Sequence, residues 1–293
     1  MKCNLCPRKC NVDVSTFTGY CGKQGQKVKI AKVMRHKWEE PVISYKNGSG
    51  AIFFSNCSLR CCYCQNYQIS HLGCGKDCSV EELASFIKTL EENNVENINF
   101  VTPTHYTDKI LQALDLYSPK VPVVWNTSGY ETEENIQKLK NKVDIFLFDF
   151  KYCSESKAQE YSKAKNYFEV CLKALKKARE IVPFDVVENG KMKKGIIVRH
   201  LVLPEMFEDS IKIFEAIKRE VGTDIYISLM SQYLPFYKAK EIESLNKKVK
   251  PLEYKKVLNC IKSLGFEKGF IQDYSSSSCE YTPDFSLEKF FEI

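Results

Sequence analysis

The 293-residue chain is 44% hydrophobic and 12% aromatic, enough to bury one large domain or two modest ones, which excludes a disordered or fibrous protein. Its 43 basic and 37 acidic residues leave a formal charge of +6. The lysine runs at 173–177 and 191–194 read as solvated surface, and with no recognised DNA or RNA module beside them nucleic acid is not an expected partner. The fourteen cysteines are clustered rather than spread as a disulfide framework would be. No apolar h-region follows Met1 and no run approaches 18 apolar residues, so the expectation is a soluble cytoplasmic protein with free thiols and no membrane partner.

In chain order, residues 1–40 form the first unit. Cys3, Cys6, Cys10 and Cys21, with Gly19, Gly22 and Gly25 among them, suit a small loop-dominated metal knuckle. Four thiolates make a closed tetrahedral site, either structural zinc or an auxiliary iron–sulfur cluster, and spacing alone does not separate the two. Pro7 and Arg8 lie between ligands, where Arg8 would offset thiolate charge.

From Ala51 the texture changes to short apolar runs alternating with amphipathic helical stretches. Six strands are predicted at 51–54, 97–101, 121–125, 144–148, 195–203 and 224–230, each nearly continuously apolar, as a sheet covered on both faces requires. Ser79 with Glu82 reads as a capping box, Gly222 and Gly265 as helix ends and Pro251 as a first helical turn. The longest predicted helix runs from about 156 to 181, before a polar loop around 188–194. The expected fold is α/β: a partial (β/α)6 open TIM-like barrel over residues 41–272, with a small N-terminal cysteine-rich metal-binding module. Residues 273–293 read as a polar tail with a terminal aromatic helix. Barrel logic puts the site at the C-terminal ends of the strands.

The loop after the first strand places Cys57, Cys61 and Cys64 at C-x3-C-x2-C. Three thiolates hold an iron–sulfur cluster with one iron left open, which favours catalysis over electron storage. Cys62, Cys74 or Cys78 as a fourth ligand would instead close the site, although adjacent thiols such as Cys61 and Cys62 rarely face one metal. Cys74 and Cys78 with His71 would make a partial second site.

Cys57-x3-Cys61-x2-Cys64, with Tyr63 before the last cysteine, resembles the signature of radical S-adenosylmethionine (SAM) enzymes. The segment from Gly48 to Asn66 resembles the glycyl-radical-enzyme activases, whose type is the pyruvate formate-lyase activating enzyme. Segments 101–106, 126–130, 149–151, 199–204 and 231–233 are similar to an activase-related subfamily whose substrates are generally unassigned.

The resemblance implies a [4Fe-4S] cluster on Cys57, Cys61 and Cys64, with SAM on the open iron, cleaved to a 5'-deoxyadenosyl radical that abstracts hydrogen. Tyr63 would pack near the adenine. Thr102 and Thr104 stand where the family commonly carries a Gly-Gly-Glu run holding the SAM amino group. Asn126 and Ser128 would flank the ribose or methionine, Asp149 and Lys151 match a D-x-K pattern, and Arg199 would pair with the SAM carboxylate. His105 and His200 are candidate hydrogen-bond or acid–base groups, or structural histidines. Cys279 is a candidate hydrogen donor or an exposed tail thiol.

Implied partners are an electron donor such as flavodoxin or ferredoxin, and a glycyl radical enzyme, another protein or peptide, or a small molecule. Known activases with extra clusters insert them after the SAM motif, whereas here the extra cysteines precede it. A non-catalytic electron carrier or redox sensor is the rival class.

Overall fold

The computed structural model describes residues 2–274 and 283–293. Residues 2–27 contain turns and one isolated bridge, Lys2 with Asp13, tied by backbone bonds such as Cys3 N to Val12 O (2.8 Å). The rest alternates strand and helix. The first half holds β1 (Val28–His36), α1 (Pro41–Ser44), β2 (Ser49–Phe54), α2 (Tyr67–Ser70), β3 (Lys76–Cys78), α3 (Val80–Glu92), β4 (Ile98–Val101), α4 (Thr107–Leu116), β5 (Val123–Thr127), α5 (Glu133–Lys138) and β6 (Ile145–Asp149). The second holds α6 (Glu155–Ser162), α7 (Tyr167–Ile181), β7 (Val186–Glu188), β8 (Lys191–Leu201), α8 (Phe207–Val221), β9 (Tyr226–Met230), α9 (Pro251–Leu264), β10 (Gly269–Ile271) and β11 (Phe291–Glu292).

The sheet runs β10-β9-β8-β6-β5-β4-β2-β1-β11, with β3 paired to β1 and β7 to β8. The six expected strands are β2, β4, β5, β6, β8 and β9, and they pair in parallel. The path ends at β10 and β11 without closing, which gives the open barrel expected for six βα units. Strand period two splits the core into two layers. Trp125, Phe146, Phe148, Ile196 and Val198 join the larger core with Leu83, Ile87 and Ile110 of the helices. Val124, Ile145, Leu147 and Ile197 turn inward onto Ile43 of α1. Burying a side chain such as Phe146 is worth about 1.5–3 kcal/mol.

The helix boundaries follow local chemistry. Ser79 Oγ accepts from Glu82 N (3.1 Å) and Glu82 from Ser79 N (2.7 Å), the reciprocal cap that starts α3. Pro251 opens α9, and Gly265 ends it in a left-handed conformation. The single helix expected across 156–181 is two helices, because Lys163 and Asn166 both take positive φ (54° and 53°) and break the ladder. The polar loop expected around 188–194 is a hairpin: Asn189 and Gly190 both have positive φ, as a tight type I′ turn requires.

Residues 28–36, grouped in the sequence with the cysteine knuckle, form β1, antiparallel to β2 (His36 opposite Ser49). The β1–β2 connection therefore crosses the N-terminal end of the barrel, where α1 packs on β8 and Ile43 sits among inward-facing strand residues. At the far end of the chain β11 lies parallel to β1, Val33 opposite Phe291, where a helix was expected, and buried Lys32 reaches Glu292 (2.6 Å).

Candidate functional site

The loop leaving β2 bends sharply, with Asn56 and Arg60 at positive φ (73° and 58°), and is pinned by backbone bonds. Cys62 N donates to Tyr161 O (2.7 Å) at the end of α6, and Cys64 N to Cys61 O (3.1 Å). Cys57, Cys61 and Cys64 all line one cavity of about 360 Å³ at the C-terminal ends of the parallel strands. Cys62 is not among its lining residues, and Cys74 and Cys78 are absent from it too. His71 packs against Tyr237, and its Nε2 lies 3.0 Å from Cys61 O, so it braces the loop from outside.

Each of the three thiols has a donor. Ser162 Oγ donates to Cys61 Sγ (2.9 Å), Ser70 Oγ to Cys64 Sγ (3.2 Å) and Leu59 N to Cys57 Sγ (3.4 Å). Behind Ser162 runs a buried hydroxyl chain, Ser162 to Tyr152 (2.6 Å) to Tyr63 (2.6 Å). Burial pushes the Cys64 thiol up to about 12, and Cys61 and Cys57 push it the same way. Burial likewise raises Cys61, against the pull of Lys151.

Among the described residues no group of three or more His, Cys, Asp or Glu stands in metal-coordinating geometry. The fit of a cluster rests instead on the donor set: three sulfurs lining one cavity, Cys57 and Cys61 buried and Cys64 half-buried, each hydrogen-bonded, whose thiolate forms metal charge would stabilise.

The same cavity is lined by a row of half-buried charge. Asp149 at the end of β6 is opposite Arg199 of β8, which is opposite Ser228 of β9. Arg199 Nε donates to Asp149 (2.8 Å), Nη1 to Glu39 (3.0 Å) and Nη2 to Asn126 (2.5 Å), while Lys151 Nζ holds the other Asp149 oxygen (2.8 Å). Burial alone would raise Asp149, but Arg199 and Lys151 outweigh it and keep the carboxylate low. Burial opposes charge on Lys151 too, yet Asp149 and Cys61 hold it above the ordinary ammonium value. Both groups therefore stay ionised. Arg199, expected to meet a SAM carboxylate, is engaged through all three nitrogens by its own chain.

Glu39 and its neighbours were not singled out from the sequence. Glu39 also accepts from Asn99 (2.9 Å) and Asn126 (3.1 Å). Glu40, His36 and Trp38 line the same cavity. Burial raises Glu40, helped by Glu39 and resisted by Arg199, and lowers His36. Their signal is the acidic pair just before Pro41, indistinguishable from a solvated turn until β1 carries it beneath the strands.

The remaining candidates divide. Tyr63, Thr102, Asn126, Ser128, Asp149 and Lys151 line the cavity, Thr102 at a positive φ of 59°. Thr104 does not: it turns into the wall and donates to Glu131 (2.7 Å). Glu131 is buried, accepts also from Trp125, Thr127 and Asn135, and is raised by that burial. Gly129 at φ +76° is required there, since a Cβ would lie 2.6 Å from both Asp149 O and Cys171 Sγ.

Neither candidate histidine lines the cavity. His105 Nε2 meets Ser55 O (2.8 Å), and His200 bridges Phe150 O (2.7 Å) and Ser210 Oγ (2.8 Å). Burial lowers each to about 4, so both are neutral at pH 7. Cys279 lies outside the described residues.

In the N-terminal module Cys6 and Cys21 are buried, and Cys3 and Cys10 half-buried. Burial pushes Cys6 up to about 12, with Cys21 and Cys10 adding to it, and Cys21 up to about 11, with Cys3 and Cys10 adding to it. The four sulfurs thus share one neighbourhood. Tyr20 N donates to Cys10 Sγ and Lys23 N to Cys21 Sγ (both 3.4 Å), bonds that suit thiolate ligands.

With this geometry in place, comparison with known proteins is decisive. Residues 51–217 match the model of the Radical SAM superfamily. The chain belongs to the radical SAM superfamily. An uncharacterized protein of Methanocaldococcus jannaschii is 31% identical over 266 residues, covering 87% of this chain and 73% of that one. Among solved structures, the [FeFe]-hydrogenase maturase HydG is similar at a TM-score of 0.53 and 15% identity, over 83% of this chain and 56% of HydG. SuiB of Streptococcus suis, bound to precursor peptide SuiA, is similar at 0.51 and 10%, over 74% and 46%. The chain thus spans about half the length of these two structures, which speak for the fold alone. Superfamily membership implies a [4Fe-4S] cluster, SAM and radical chemistry. The cysteine module precedes the matched region, and no helix among the described residues is long and apolar enough to cross a membrane.

Proposed function

We propose that the protein is an activase-like radical SAM enzyme in which Cys57, Cys61 and Cys64 hold the cluster and the Asp149, Lys151 and Asn126 wall receives SAM. The carrying observation is that these three sulfurs and this charged row line one and the same cavity. When bound, cluster and SAM supply one-electron cleavage of the sulfonium and abstraction of a substrate hydrogen.

The chain's own residues bind and orient. Lys151, kept charged beside Asp149, presents an ammonium for an anionic group. Arg199 acts through the row, fixing Asp149, Asn126 and Glu39, and so supports rather than replaces these contacts. Tyr63, locked by Tyr152, offers its ring to the adenine. Thr102 lines the cavity where the SAM amino group is expected, whereas Thr104 is committed to Glu131. The bonds of His105 and His200 support wall-building roles, and Cys279 stays a candidate hydrogen donor. In the N-terminal module Cys3, Cys6, Cys10 and Cys21 take zinc or an auxiliary cluster. A flavodoxin or ferredoxin of the cytoplasm supplies electrons.

The substrate reading is a glycyl radical enzyme, with radical modification of another protein, peptide or small molecule as the second reading, favoured by cysteines that precede the SAM motif. The test is anaerobic reconstitution with iron and sulfide, reduction with dithionite and addition of SAM. A cluster EPR signal that SAM changes, with 5'-deoxyadenosine formed, is expected; an unchanged signal with none formed overturns the enzyme reading. Co-expression with a glycyl radical enzyme should then give a glycyl EPR doublet, and its absence selects the second reading.

A further inference from the structure

The N-terminal module and the cluster loop meet directly. Cys57 N donates to Cys21 O (3.3 Å), so a residue of one cysteine set is bonded through its backbone to a residue of the other. Gly22 is pressed so closely on Asn56 that a Cβ there would lie 2.6 Å from Asn56 Oδ1. Arg8 completes the junction. Its Nε donates to Ser58 O (2.7 Å), and Nη2 reaches Ser162 O (3.0 Å) and Leu59 O (3.4 Å). Nη1 donates to Lys163 O, and Tyr20 covers the guanidinium face at 4.0 Å.

Two of these four carbonyls belong to the cluster loop and two to the end of α6, where a helix presents its negative pole and a cation is favoured. Ser162 is the last residue of α6 and the one whose hydroxyl donates to Cys61 Sγ. Arg8 itself stands between Cys6 and Cys10, so whatever those cysteines bind fixes the loop that carries it.

We infer that Arg8 is the positioning residue through which the N-terminal cysteine module sets the seating and reduction potential of the cluster on Cys57, Cys61 and Cys64. This rests on the functional reading above, that these three thiols hold the cluster. The physics is local. A hydrogen bond to a ligand sulfur stabilises the more negative, reduced cluster and raises its potential, and it forms only while Ser162 is held against Cys61. Arg8 holds Ser162, and the loop that carries Cys61 at Ser58 and Leu59, by their backbones with a planar fork that lysine does not reproduce.

The experiment uses the full chain as wild type, Arg8→Ala, Arg8→Lys and Ser162→Ala, each reconstituted anaerobically and titrated by EPR, with cluster lifetime followed under bathophenanthroline disulfonate. Ser162→Ala should lower the potential. Arg8→Ala should lower it in the same direction and shorten the lifetime about tenfold or more, the usual penalty for losing support behind a ligand, with Arg8→Lys between. Wild-type potential and lifetime in a folded Arg8→Ala overturn the inference. Should Arg8→Ala not fold by circular dichroism, wild-type values in Arg8→Lys overturn it equally. Absence of cluster iron in the wild type is a different result, since it removes the functional reading itself.

Discussion

The two cysteine sets of this protein contrast in what lies opposite them. Cys57, Cys61 and Cys64 line a cavity that they share with the Asp149, Arg199 and Lys151 row. No residue from 2 to 27 lines that cavity, and the N-terminal set has beside it Arg8, stacked on Tyr20 and bonded to the carbonyls of Ser58 and Ser162. The same residue type at similar spacing thus lines a cavity in one place and lies away from it in the other. The fourth side of a metal site is decided by tertiary surroundings, which spacing does not record.

The comparison breaks first at single thiols. Cys61→Ala should abolish the SAM-sensitive EPR signal and SAM cleavage, whereas Cys62→Ala, which removes a thiol outside the cavity, should leave both; an intact signal in Cys61→Ala would mean the wrong sulfurs have been assigned. Next comes the charged row. Glu39→Ala takes one of two carboxylates from half-buried Arg199, which keeps Asp149, and loss of a hydrogen bond to a charged group costs about 1.5–3 kcal/mol, to be read by denaturant unfolding.

Acid probes the same wall. His105 and His200 sit at about 4 in the fold against an ordinary 6.5, so the unfolded chain binds more protons between these values. Stability should therefore be fully present above pH 6.5 and fall as pH drops towards 4, by up to about 3 kcal/mol per histidine, and His200→Gln should flatten that slope. Smallest is the N-terminal side: Tyr20→Ala removes a half-exposed stacking partner of Arg8 and should cost only about 0.5–1 kcal/mol in the same unfolding assay.

The sequence shows the six parallel strands because each is a nearly unbroken apolar run, and the three cavity thiols because all three lie in one loop. β1 escapes it because Lys29, Lys32 and Arg35 interrupt the apolar pattern of a strand near the sheet's edge. With β1 unplaced, the connection that carries Glu39 beneath the strands has no location, so the carboxylate that completes the Arg199 row reads as one more surface acid. The Asn189-Gly190 pair is a hairpin signal that a lysine-rich context disguises. Thr104 differs for another reason: it is two residues from cavity-lining Thr102, but the turn at Pro103 sends its hydroxyl to Glu131.

The pairing of β11 with β1 has a consequence for biosynthesis. Val33 and its partner Phe291 are separated by more than 250 residues of chain, so Val33 leaves the ribosome long before Phe291. At about 5–20 residues per second, that edge of β1 waits more than about ten seconds for its neighbour. An uncovered strand edge is a template for joining another chain, and a lysine on it opposes such pairing. Lys32, buried against Glu292 in the finished fold, is that lysine while the nascent chain is still incomplete.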